Sequence, residues 1–296
     1  MVNSLSKLIG MLLIDKKMSN KTSLIELAKI IKSTVQYDYK TFRFIQSSKH
    51  VNKNNKEVLS LLENGFVVIE NYLSAEECDK FRMQIENLLA ENPEKNGKFN
   101  TDTIDTKLSS GTIIQVRQSN DGRNAYDTGM IDIKNIDYSF PDLNKIRHDE
   151  TILKIVRTAS GQASIKSGNF NSYVNKGIAN TRCYHIDSLA IPQFKAFVYL
   201  TDVVNETYGP YSFVSKTHRF SFTKYINIVN NYVKGQPITD MRIHSKRKAI
   251  KFVASKGTLI IANQNGFHRG IPQEKNKERM ILVNNFYYDP SMLTMM

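Results

Sequence analysis

Seven short β-prone runs, at 112–116, 168–174, 194–200, 211–214, 249–253, 258–262 and 280–287, occupy the later two thirds of this chain. Turn residues such as Gly209-Pro210 and Gly257 separate several of them, as strand-breaking signals do. The region before them is helical in pattern. Leu5, Leu8, Ile9 and Leu12 have helical spacing, and Ser23 with Glu26 forms a capping-box pattern ahead of Leu24, Leu27, Ala28, Ile31 and Val35. A helix is expected near 58–63, then a strand at 66–69. Ser74 with Glu77 forms a second capping box, leading an apolar stripe of Cys78, Phe81, Ile85 and Leu88. Helices first and many strands afterwards predict an α+β fold built on a sandwich or barrel.

A chain of 296 residues buries roughly 75% of its unfolded surface, enough for one large core. The polar patch 47–56 predicts a boundary between a helical extension, 1–56, and a main domain, 57–296. No run of about 18 apolar residues marks a membrane span, and the apolar stretch 8–14 ends in Asp15-Lys16-Lys17 without a cleavage pattern. Two cysteines, Cys78 and Cys183, are too few for a disulfide framework or a cysteine-based zinc cluster. A cytoplasmic protein is expected.

The net charge is +13, and residues 1–56 hold eleven basic and three acidic residues, so the excess belongs mostly to the extension. A second basic cluster comprises Arg242, Lys246, Arg247, Lys248 and Lys251. A solvated lysine-rich surface, capture of an anionic substrate and weak contact with a membrane surface all fit this pattern. Nucleic acid fits poorly, because no stacking-aromatic motif accompanies the charge.

Three features carry chemistry. In Tyr184-His185-Ile186-Asp187, residues two apart on a strand would turn an imidazole and a carboxylate to one face. In Gly266-Phe267-His268-Arg269-Gly270, a histidine between glycines follows an apolar strand. Arg279 opens the strand at 280–287, and a hairpin would return it beside the strand leading to His268. Each feature alone has an ordinary explanation: chance spacing, a loop histidine, a surface arginine. Together they match the 2-His-1-carboxylate arrangement of non-haem Fe(II) oxygenases. They also place a guanidinium where it would clamp a carboxylate.

From about Leu61 to Tyr288 the sequence resembles the phytanoyl-CoA dioxygenase family of Fe(II)/2-oxoglutarate-dependent oxygenases. The matching pieces begin with Asn64-Gly65-Phe66-Val67-Val68-Ile69, Leu73-Ser74 and Glu76-Glu77, followed by His185-Ile186-Asp187. Phe197 to Val203, Gly209-Pro210-Tyr211 with Ser215-Lys216-Thr217-His218, and Gly257-Thr258-Leu259-Ile260 continue the series to His268 and Arg279.

The resemblance implies a double-stranded β-helix core of the jelly-roll, cupin-like kind with flanking N-terminal helices. It also implies iron held by His185, Asp187 and His268, 2-oxoglutarate anchored by Arg279, and O2 as oxidant. Two departures stand out: the family often has Trp where Phe197 stands, and a hydroxyl residue where Gly270 stands. Related halogenases lack the carboxylate, so Asp187 favours hydroxylation or another C–H oxidation of a small-molecule substrate.

Thr181 and Cys183 share the parity of His185. Thr181 and Tyr173 are candidates for contact with 2-oxoglutarate, whereas Cys183 reads as core filler and His218 as a loop-ordering residue. Stretches 96–127 and 220–243 are candidate lids. In the second, Lys224, Lys234 and Arg242 against Asp240 favour an anionic substrate. The rival functions are a jelly-roll binding protein without turnover and an oxygenase acting on nucleic acid.

Overall fold

The computed structural model describes residues 21–93, 98–99, 103–118, 126–243 and 249–287. The helical spacing at Leu5–Leu12, His244, Tyr288 and the cluster Lys246, Arg247 and Lys248 lie outside them. Helices α1 (Lys21–Val51) and α2 (Lys56–Asn64), strand β1 (Phe66–Ile69) and helix α3 (Ala75–Glu91) come first. Strands β2 (Lys98–Phe99), β3 (Thr103–Lys107), β4 (Ile113–Arg117) and β5 (Ile131–Lys134) follow, then helices α4 (Asn144–Arg147) and α5 (Glu150–Ser160). The remainder is β6 (Lys166–Lys176), β7 (Gln193–Tyr199), β8 (Tyr211–Val214), helix α6 (Phe222–Val233), β9 (Ala249–Lys251), β10 (Leu259–Asn263), β11 (His268–Gly270) and β12 (Glu278–Tyr287).

The strands form a jelly roll of two antiparallel sheets. The larger has the order β1-β10-β7-β12-β6-β5-β4-β3-β2, and the smaller β11-β8-β9. Strand parity divides the core. Phe194, Ala196 and Val198 of β7, with Met280, Leu282 and Phe286 of β12, pack against Leu61, Leu62, Phe81, Ile85, Ile152 and Val156 of the helices. The alternate residues Phe197, Tyr199, Ile281 and Val283 face Tyr211 and Phe213 of the small sheet, with Phe252. A sheet covered on both faces reads as nearly continuous apolar sequence, as β10 and β12 do.

Local sequence explains the joints. Asn55 caps α2 by accepting from the Val58 N–H, and the Ser74–Glu77 capping box forms in both directions at α3. Gly65 ends α2 at φ +89°, where a Cβ would come within 2.5 Å of His218 Nδ1, so only glycine fits the turn into β1.

Two expectations for α1 need correction. Residues from Lys21 on are already helical, so the Ser23–Glu26 pattern lies within the helix, and both of those residues instead accept from the Tyr232 hydroxyl, Ser23 through its carbonyl. Val35 is 41% exposed, because the buried stripe runs Leu27, Ile31, Thr34 and Asp38. Leu27 and Ile31 pack on Tyr225, Ile228 and Val229 of α6. Asp38, also buried, takes Lys224 Nζ and the Tyr225 hydroxyl, each at 2.7 Å. The stretch read as a lid at 220–243 thus begins with a helix packed on α1.

Candidate active site

His185 and His268 form an isolated antiparallel bridge, each N–H donating to the other's carbonyl at 3.0 Å. This main-chain pairing joins segments far apart in sequence and sets the two rings side by side, centroids 4.4 Å apart. The segment around His185 is not a regular strand as expected. The two-residue spacing nevertheless brings Asp187 to the same point, with its N–H held by Gln264 O at 2.9 Å. Asp187 Oδ1 lies 3.7 Å from His185 Nε2 and 3.5 Å from His268 Nε2. The ligand atoms of the three residues all lie within 4.8 Å of one another.

The tautomers follow from the outer contacts. His185 Nδ1 is 2.9 Å from Cys183 O, and His268 Nδ1 is 2.9 Å from Gly266 O. A carbonyl only accepts, so both Nδ1 atoms carry a proton and both Nε2 atoms are the ones turned inward. Burial, with His268 and Arg182 adding to it, keeps His185 well below the usual imidazole value. Burial alone would raise Asp187. Lys195 and His268 outweigh it and hold the carboxyl well below the carboxylate range. Two imidazoles whose Nδ1 atoms are tied to backbone carbonyls and one carboxylate, converging on one point, are a donor set that fits a divalent transition metal.

Lys195 projects from β7 and places Nζ 2.7 Å from Asp187 Oδ2. No motif reading singled it out. Its signal was a lysine inside an apolar strand run, sharing parity with Phe197. Around it lie Gln193, Asn171 and Asn285, which line a cavity beside Asp187.

Arg279 is buried, opposite Asn175 of β6. The expected hairpin with the strand leading to His268 does not form. The chain instead crosses from β11 in the small sheet to β12 between β6 and β7 in the large one. Arg279 Nη1 donates to Gly209 O, and Nε has no partner. Burial lowers this guanidinium's pKa, against the pull of Tyr199 and Asp127. A Cβ at Gly270 would lie 3.5 Å from Arg279 Nη2, so the glycine leaves room on that side. A buried guanidinium with an unused donor suits a carboxylate.

The Thr181 hydroxyl donates to Gly270 O at 2.8 Å and accepts from Arg269 Nη2 at 2.6 Å, so its proton is committed to the main chain. Tyr173 pairs with Ile281 in the sheet and lines the same cavity as Lys195. The buried His218 Nε2 lies 3.1 Å from Leu62 O, as expected of a loop-ordering histidine. Of the lysines and arginines read at 224–242, Lys224 is spent on Asp38 and Arg242 lies 3.4 Å from Asp240.

The family model described as phytanoyl-CoA dioxygenase matches residues 61–281. No curated protein sequence matches the chain. Among solved structures, the α-ketoglutarate-dependent epimerase SnoN of nogalamycin biosynthesis is 14% identical, covering 80% of this chain and 85% of its own at a TM-score of 0.53. The carbocyclase SnoK of the same biosynthesis is 15% identical, covering 82% and 90% at a TM-score of 0.52. HygX from Streptomyces hygroscopicus, solved with nickel and 2-oxoglutarate, is 15% identical, covering 79% and 86% at a TM-score of 0.53. These likenesses establish the jelly-roll fold. Among the described residues no helix is long and apolar enough to cross a membrane.

Proposed function

The chain belongs to the phytanoyl-CoA dioxygenase family, and from that premise we propose that it is an Fe(II)/2-oxoglutarate-dependent oxygenase that hydroxylates a small molecule. The observation that carries this reading is the convergence of His185 Nε2, His268 Nε2 and Asp187 Oδ1 with both Nδ1 protons tied to backbone carbonyls. Ferrous iron held by these three atoms would supply oxidation of a C–H bond by O2, coupled to conversion of 2-oxoglutarate to succinate and CO2.

The protein's part is positional and electrostatic. His185 and His268 turn their Nε2 atoms to the shared point, and Asp187 supplies the single negative charge. Lys195 fixes the rotation of that carboxylate by holding Oδ2. Arg279 would take the distal carboxylate of 2-oxoglutarate in a buried setting, where a charge-assisted pair is strong. Thr181 would act by holding Gly270 and Arg269 in place beside that carboxylate, and Tyr173 would close the flank of the co-substrate site.

Asp187 in the carboxylate position favours hydroxylation or another C–H oxidation over halogenation. An epimerase and a carbocyclase share the fold, so the product decides between outcomes. A hydroxylated product gains one oxygen atom, a ring closure loses two hydrogens, and an epimer keeps its mass. The first test is succinate formation from 2-oxoglutarate by purified protein with Fe(II). Asp187→Ala and His268→Ala are expected to abolish it, and full turnover in either variant overturns the assignment.

A further inference from the structure

The cavity beside Asp187 has a volume of about 300 Å³, room for about ten water molecules at their liquid volume of roughly 30 Å³ each, or one to two sugar rings. Small-molecule pockets are usually lined by apolar and aromatic side chains with a few polar groups. This one is not. Four carboxamides, Asn169, Asn171, Gln193 and Asn285, line it together with Lys195 and Asp187. The sheet explains the change of character. On the face turned to the small sheet, Tyr199 and Phe197 of β7 lie opposite Ile281 and Val283 of β12. One step further along the same face the pair becomes Lys195 opposite Asn285.

Two observations indicate which ligand chemistry this wall would recognise. Gln193 Oε1 is buried and has no hydrogen-bond partner. A buried acceptor left so is unfavourable unless something donates to it. The cations at the wall are already matched: Lys195 by Asp187 at 2.7 Å, and Arg182 by Asp240 at 2.7 Å. No unmatched positive charge is offered to a phosphate or carboxylate. An alkyl chain would strip water from the amides and return no hydrogen bond. A hydroxyl both donates and accepts, and each carboxamide offers one acceptor and one donor group.

We propose that this cavity binds a neutral, hydroxyl-rich molecule the size of a sugar or cyclitol, its hydroxyls pairing with the carboxamide side chains of the wall, Gln193 among them. That this molecule is the substrate rests on the oxygenase reading; that it binds does not. The test is saturation-transfer NMR on the full chain loaded with Zn(II) and 2-oxoglutarate. The probes are methyl β-glucopyranoside, sucrose, myo-inositol, glucose 6-phosphate and octanoylcarnitine.

At least one of the three neutral polyols is expected to receive saturation. Gln193→Leu should weaken that binding at least fivefold, and Tyr287→Phe, an exposed side chain at the cavity mouth, at least twofold. The proposal is overturned if no neutral polyol binds, if only the phosphate or the acyl probe binds, or if polyol binding ignores both variants. Uncoupled succinate formation with Fe(II) and no polyol separates the two readings. Turnover without polyol binding removes this proposal alone, and polyol binding without turnover removes the oxygenase reading alone.

Discussion

Lys195 Nζ holds one oxygen of Asp187 at 2.7 Å while the other oxygen of the same carboxylate faces His185 and His268. The lysine therefore sets which lone pairs reach the metal position. Lys195→Met keeps an unbranched side chain one atom shorter and removes the charge. Partners of ligating residues are typically worth 10–100-fold in metal affinity. We expect Ni(II) or Fe(II) affinity, measured by calorimetry, to fall by about tenfold, with both histidines intact. Unchanged affinity would show that Asp187 is oriented by its backbone alone.

Arg279 is the only group assigned to the distal carboxylate, and Nε stands unpartnered. Removing a hydrogen bond to a charged group costs about 1.5–3 kcal/mol. Arg279→Leu should therefore raise the KM for 2-oxoglutarate by roughly 10–150-fold, with a smaller effect on kcat. Gly270→Ser makes the opposite test. Its Cβ would sit at ordinary contact distance from Nη2, and its hydroxyl adds a second donor for the same carboxylate. A KM lowered a few-fold is expected in steady-state succinate assays.

Asp132 gives the pH dependence of stability. It is buried, Oδ1 has no partner, and burial pushes its carboxyl up to about 6 despite Lys134, Arg117 and Lys195. Its unfolded value is roughly 3.9, so the native state holds the proton more tightly. The stabilising contribution is full below about pH 4 and is lost as pH rises through about 6. Asp132→Asn removes this loss. At pH 8 the variant should gain on the order of 2 kcal/mol, roughly 4–8 °C in Tm, and at pH 4 the gain should vanish. Thermal denaturation at the two pH values checks it.

The ion pair of Asp38 with Lys224 joins α1 to α6 with both side chains 1% exposed. Breaking such a pair from one side leaves an uncompensated charge and costs about 3–5 kcal/mol. Asp38→Ala should lower the urea midpoint and make α1 the first site of limited proteolysis. The double change Asp38→Leu with Lys224→Met should recover most of the loss, because two apolar side chains replace two desolvated charges.

What could be read from the sequence depended on whether a residue's partner was local. The strand at Tyr211–Val214 was legible in full, because its apolar run and the Gly209-Pro210 turn are contiguous. The capping box at Ser74 was legible for the same reason. His185, Asp187, His268 and Arg279 stood out through a joint pattern, and the structure brings the first three to one point. Val35 was misplaced on α1 because Asp38 takes the buried stripe, and its reason to do so is Lys224, 186 residues away. Helix α6 lies in a stretch expected as a lid, although Tyr225, Ile228 and Val229 recur at helical spacing, a face that has meaning only once Leu27 and Ile31 cover it. Lys195 shows in the sequence only as a lysine within an apolar strand run, because no pattern in a strand announces a carboxylate arriving from another segment.

The reciprocal main-chain bridge between His185 and His268 has one more consequence. Peptide groups hold the two imidazoles abreast, so the main chain itself sets much of the socket's geometry. Charging it with metal then needs little ordering of the polypeptide, and emptying it leaves the architecture standing. Several first-row divalent ions should seat there with affinities following their intrinsic order. Selection of the ferrous form is thereby handed from the scaffold to whichever ion the surroundings supply.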